Sequence, residues 1–128
     1  MDGWLWIRIG AILGFLGVGM GAFGAHGLSD RLKELGTAAN FETAAQYQMY
    51  HALALLAVGL LSLAGRTEKA LSVAGWGFLV GTIVFSGSLY ILSLTGDKRL
   101  GMVAPIGGVA FLIGWLALAI ASGKTSRP

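Results

Sequence analysis

Between Gly10 and Leu28, glycine recurs at positions 10, 14, 17, 21 and 24. On a helix, steps of four and three residues place Gly10, Gly14, Gly17, Gly21 and Gly24 on one face, leaving a groove without side chains along its length. Ile12, Leu13, Phe15, Leu16 and Val18 occupy the other faces. In water each glycine would weaken such a helix by about 1 kcal/mol relative to alanine. In lipid the same face lets a neighbouring backbone approach closely, because transmembrane helices pack through small residues. The stretch therefore reads as the central packing helix of a membrane bundle.

The remaining composition agrees. The 128 residues are 55% hydrophobic and 12% charged, with a mean hydropathy of +0.75, whereas soluble domains are roughly 25% charged. So few charges cannot cover a globule, and most of the surface is expected to face lipid. The absence of cysteine removes disulfides, thiolate nucleophiles and thiolate metal sites. A net charge of +3 comes from basic residues scattered between apolar segments. Nucleic-acid binding needs a clustered basic patch, so the expected partner is the bilayer and not nucleic acid.

Taken in order, the chain predicts an all-α integral membrane protein. It forms one domain, a four-transmembrane-helix bundle with spans at about residues 7–27, 43–63, 71–94 and 103–121. Trp4 and Trp6 suit the headgroup belt, and Arg8 can snorkel to the same interface. A cleaved leader is the competing reading for this region, but the apolar run from Ile9 to Ala25 is long for one. After the first helix, Leu28, Leu32 and Leu35 fall at i, i+4 and i+7 among charged residues. This spacing predicts a short amphipathic turn at the interface, ended by Gly36. Asn40 is the expected N-cap of the second helix. That helix is polar in its first half (Glu42, Thr43, Gln46, Tyr47, Gln48, Tyr50, His51) and apolar afterwards, so its first half is expected to lie outside the hydrocarbon or to face protein or water. Gly77, Gly81 and Ser88 make a small-residue row on the third helix. Gly107 and Gly114, with Ala110, Ala117 and Ala121, make a second seam on the fourth, which carries Pro105 in its first turn.

Four spans put both termini on one side. That side carries Arg8, Arg66, Lys69, Lys124 and Arg127, against Arg31, Lys33, Lys98 and Arg99 on the other. The basic bias points to cytoplasmic termini.

Few residues could do chemistry. The connection between the first two helices brings His26 and His51 towards the same side. Ser88 and Tyr90 of the third helix lie towards that side too. A polar cluster of His26, Tyr47, Tyr50, His51, Ser88 and Tyr90 is the candidate site, and intramembrane histidines are a functional signal. The structural alternative is that each histidine bonds a carbonyl or hydroxyl and pins two helices together. Two histidines without carboxylate or thiol companions make a poor metal site, so neither metal nor cofactor is expected. No acidic residue is placed to orient a Ser–His pair, and no nucleophile elbow is present. Glu42, in the first turn of its helix, complements the helix dipole.

Four motifs together carry a family resemblance. They are Gly21-Ala-Phe-Gly-Ala-His-Gly-Leu28; Phe41-Glu-Thr-Ala-Ala-Gln-Tyr47 with His51-Ala-Leu-Ala-Leu55; Phe85-Ser-Gly-Ser-Leu-Tyr90; and Pro105-Ile-Gly-Gly108 followed by Gly114-Trp115. In order and over nearly the whole chain, they resemble the small multi-spanning bacterial inner-membrane proteins of unknown function typified by YgdD, which have a small eukaryotic transmembrane relative. The resemblance implies a plasma-membrane protein of about four spans and brings no catalytic residues. The expected function is that of a non-enzymatic structural or accessory membrane component, as a homo-oligomer or with a membrane-protein partner. The alternative is a small permease or proton-linked channel using His26, His51 and Tyr47. An intramembrane enzyme or haem carrier has the least support.

Overall fold

A computed structural model of the chain describes residues 1–66 and 69–123. Glu68, Lys124, Arg127 and the polar tail after Gly123 lie outside the described residues. The described residues are helical throughout, without a strand: α1 (Gly3–Ala25), α2 (Ser29–Leu35), α3 (Ala38–Leu63), α4 (Lys69–Gly81), a π-helical turn (Thr82–Ser86), α5 (Gly87–Thr95), a 3-10 turn (Lys98–Met102) and α6 (Ala104–Gly123). Three segments are long and apolar enough to cross a membrane, namely Gly3–Ala25, Lys69–Thr95 and Lys98–Gly123. The fourth expected span falls within α3, whose polar first half keeps it out of that set.

The helix at the centre is α3, not α1. It packs against α1, α2, α4, the π-helical turn and α5, and Ala44, Ala52, Leu55 and Val58 on it are almost wholly buried. α1 buries only Gly3, Trp6, Gly10 and Gly17, while Phe15 and Val18 stand open. The glycine groove of α1 receives a single neighbour along a single line, which is why the helix is peripheral.

That line repeats every seven residues. A Cβ at Gly3 would lie 2.5 Å from the carbonyl oxygen of Gly59, and one at Gly10 would lie 2.8 Å from that of Ala52. At Gly17 it would meet the Met49 sulfur, and at Gly24 the Phe41 ring. The partners descend in number as the glycines ascend, so α1 and α3 are antiparallel. Gly14 makes only an ordinary contact with Ala52, and Gly21 has nothing within 4 Å. The five-glycine groove thus divides into a packed line, which includes Gly3, and an open side. α6 meets the α4 half of its neighbour in the same way: a Cβ at Gly77 would lie 2.9 Å from the Ala110 carbonyl, and Gly114 and Gly107 face Phe78 and Phe85.

Several local expectations are corrected. Trp6 is 1% exposed, with its ring lying over Gly75 and edge-on to Trp76; it belongs to the core, and only Trp4 faces outward. Asn40 does not cap α3, which begins at Ala38 after Thr37. The Thr37 hydroxyl instead donates to the Ser93 carbonyl at 2.7 Å. The third helix contains the π turn, and the following loop contains a 3-10 turn capped by Asp97. There the Arg99 side chain, bonded to Asp97, holds that exposed carboxyl below its ordinary range. α2 matches the amphipathic turn: Leu32 is buried, and Gly36 ends the helix at φ 69 in the left-handed region, where glycine costs least. Arg31 donates to the Leu94 carbonyl at 3.1 Å, satisfying a free acceptor at the end of α5.

Large apolar side chains cover the outside, among them Phe15 at 79% exposure and Leu112 at 71%. Soluble monomers rarely expose contiguous apolar surface on this scale. The seam makes a graded prediction for thermal unfolding in detergent. Gly10→Ala should destabilise by about 1–3 kcal/mol, because its methyl would meet backbone that cannot step aside. Gly17→Ala should cost less, since the flexible Met49 can move, and Gly21→Ala should not destabilise. Equal effects at the three positions would refute the seven-residue line.

Candidate functional site

Two buried polar side chains of α3, Gln48 and His51, stand one helical turn apart deep in the bundle. Gln48 is 5% exposed. Its amide nitrogen donates to the Leu13 carbonyl of α1 at 2.9 Å, and its amide oxygen accepts from the Tyr90 hydroxyl of α5 at 2.6 Å. One side chain therefore bonds two different helices. The Tyr90 ring packs edge-on against Phe41 at 5.1 Å. Nearby, the Ser86 hydroxyl donates to the Ala44 carbonyl at 2.8 Å, so the π turn is also bonded to α3.

His51 forms the second node. It is 3% exposed, with Nδ1 2.6 Å from the Tyr47 carbonyl and Nε2 3.0 Å from the indole nitrogen of Trp115. An indole N–H can only donate. Nε2 must therefore accept, which puts the single proton on Nδ1, where it is donated to Tyr47. Both ring nitrogens are engaged in that tautomer. The imidazole is stacked on Phe111, with centroids 3.6 Å apart and planes 7° from parallel. Tyr47, Phe78 and Phe85 complete an aromatic layer around it.

The expected cluster is divided. Tyr47, Tyr50 and His51 are neighbours on α3, and Tyr90 joins them through Gln48. Ser88 turns back to the Phe85 carbonyl of its own chain segment. His26 is exposed just beyond the last residue of α1. Gly24 packs at the level of Phe41, which puts His51 ten residues, or roughly 15 Å, further along α3. His51 lies near the middle of its helix instead of at an interface. Gln48, Phe111 and Trp115 were not singled out as site residues. The available signal is a glutamine one turn from a histidine, in a helix whose second half is apolar.

A family described as "Protein of unknown function (DUF423)" matches residues 20–108. A UPF0382 membrane protein of Staphylococcus epidermidis is 49% identical over 120 residues, 94% of this chain and 96% of the relative. One from Staphylococcus aureus is 50% identical over the same shares. The Bacillus subtilis UPF0382 membrane protein YwdK is 43% identical, covering 94% of this chain and 97% of its own. The chain belongs to the DUF423 family. Its relatives are named as membrane proteins, and the family is of unknown function. No solved structure matches.

The segment matched to DUF423 contains both α3 nodes and Tyr90; Trp115 lies beyond it. Among the described residues no group of three or more His, Cys, Asp or Glu could hold a metal. What the nodes do chemically is join helices. Interhelical hydrogen bonds in membranes average about 0.6 kcal/mol and reach about 1.7. A double-mutant cycle of Gln48→Leu and Tyr90→Phe should show coupling within that range, and additive losses would dispose of the contact. Trp115→Phe keeps the ring but leaves Nε2 of His51 without a donor, and should lower stability by about 1–2 kcal/mol.

Proposed function

We propose that the protein is a non-enzymatic structural or accessory component of the bacterial inner membrane, of the kind typified by YgdD, built as a compact four-span bundle. The observation carrying this reading is that the buried polar side chains among the described residues are hydrogen-bonded within the protein, Thr37, Gln48, His51 and Ser86 to other helices and Thr82, Ser88 and Ser93 to their own chain segment. Gln48 and His51 have their hydrogen-bonding groups engaged by neighbouring helices or by their own backbone, as do Ser86, Thr37 and Ser93. Each such bond fixes one element against another or a side chain against its own helix, which a structural role accounts for without catalysis.

The fourth span is α3. Its 26 residues extend roughly 39 Å, enough for a hydrocarbon core of about 30 Å. It runs antiparallel beside α1 from Gly59 to Phe41, so the two helices share one depth. Its inward polar groups are covered by α1, α5 and α6, which lets a half-polar helix cross. Both termini then lie on one side, and the basic residues favour the cytoplasm. A membrane-protein partner or a second copy would sit against the outer faces of α1 and α6, where Gly19 and Gly108 have open space beside them.

The test of topology is a pair of fusions at each end, with green fluorescent protein and with alkaline phosphatase. Fluorescence without phosphatase activity is expected at both ends. Opposite signs at the two ends would mean an odd number of spans and sink the four-span reading. For function, liposomes containing the purified protein should hold an imposed proton gradient as long as empty ones. A leak abolished by His51→Ala would replace the structural reading with the proton-linked one.

A further inference from the structure

A cleft of about 540 Å³ opens between α1, α2 and α3, within the roughly 300–1,000 Å³ usual for small-molecule sites. Its α1 wall is formed by Gly17, Gly21 and Gly24, of which Gly21 lies on the open side of the glycine groove. Its α3 wall carries Glu42, Gln46 and Tyr50, one turn apart on one face of the helix. All three are exposed, and among the described residues none makes a hydrogen bond or an ion pair. They are among the exposed polar groups of a helix whose buried Gln48 and His51 are both partnered. In a bilayer an unpartnered amide or hydroxyl facing lipid is costly, so Gln46 and Tyr50 call for a polar partner.

We infer that this cleft binds a bilayer lipid whose headgroup carries a primary ammonium. Glu42 is the single charged residue in the lining, so the complementary group is a cation. It stands in the second turn of α3, near the end of the bundle, at headgroup depth. Gln46 and Tyr50 follow at steps of roughly 6 Å towards the middle. Below Glu42 the wall opposite is bare glycine backbone, against which an alkyl chain lies flat. The order of groups along the cleft, carboxylate, amide, phenol and then apolar floor, is the polarity order of an amphiphile standing in its own leaflet. A second copy is the poorer occupant, because a two-fold axis along the membrane normal would set Glu42 against Glu42 at equal depth. The inference goes beyond the structural reading and rests on the span assigned to α3 above, which the terminal fusions test separately.

The test is native mass spectrometry of the full chain equilibrated in detergent with an equimolar mixture of phosphatidylethanolamine and phosphatidylglycerol of identical acyl chains. Phosphatidylethanolamine adducts are expected to exceed phosphatidylglycerol adducts at least fivefold. Glu42→Gln should erase that preference. Gly21→Leu should reduce total lipid adducts by filling the cleft; a Cβ at Gly21 meets nothing within 4 Å, so the helix seam stays intact, and an unchanged thermal midpoint checks this. Equal adducts of the two lipids, a preference that survives Glu42→Gln, or a dimer that cross-links through position 50 would each overturn the inference.

Discussion

Gln48 can reach the Leu13 carbonyl because α1 and α3 touch backbone to backbone. With any side chain at Gly3 or Gly10 the two axes would separate, and an amide that now bonds at 2.9 Å would face a gap. The glycine line is therefore more than a packing device. It brings a main-chain carbonyl of α1 within range of a glutamine that is itself held by Tyr90 of α5. Close approach comes first, and polar bonding across three helices depends on it.

The second consequence of that approach is where polarity can be carried. A helix with Gln48 and His51 near its middle could not face lipid on those positions, since each unpartnered group would cost free energy with no water to replace the lost bond. The bundle resolves this by covering the face of α3 that carries them. α1 covers it on one side with backbone, α5 supplies Tyr90, and α6 supplies the Phe111 ring and the Trp115 N–H. The apolar helices outside need no such partners, and they expose phenylalanine, leucine and isoleucine to the hydrocarbon.

Much of this was legible in the sequence. The helical character of the chain, the amphipathic α2 with its glycine stop and the use of small residues as contacts all follow from periodicity and composition. The centre of the bundle did not follow. Five glycines on one face suggest a helix surrounded by neighbours, but a single neighbour uses only every seventh residue, and the intervening Gly14 and Gly21 fall beside the contact. Gly3 belongs to the line and escaped notice because Trp4 and Trp6 around it look like interface anchors. The two nodes were half visible. Tyr47 and His51 share a face at helical spacing, so their proximity was readable. The choice of Gln48 over Gln46 as the buried amide depends on the side of α3 that α1 occupies, which periodicity does not encode. Trp115 sits in an apolar run where only its three-dimensional position reveals that its N–H has a partner.

The π turn between Gly81 and Gly87 lies where the segment Lys69–Thr95 changes its main neighbour. Before it, α4 lies along α6; after it, α5 lies along α3 and α2. A π turn holds one residue more than the α-helix would need, and one residue is about 100° of rotation. Deleting a single residue there would turn Phe78 or Leu89 away from its neighbour, whichever end stayed in place, even if every remaining side chain were kept. What this stretch transmits between the two ends of the bundle is a count. Its length should accordingly tolerate insertion or deletion far less than its individual residues tolerate exchange for others of similar size.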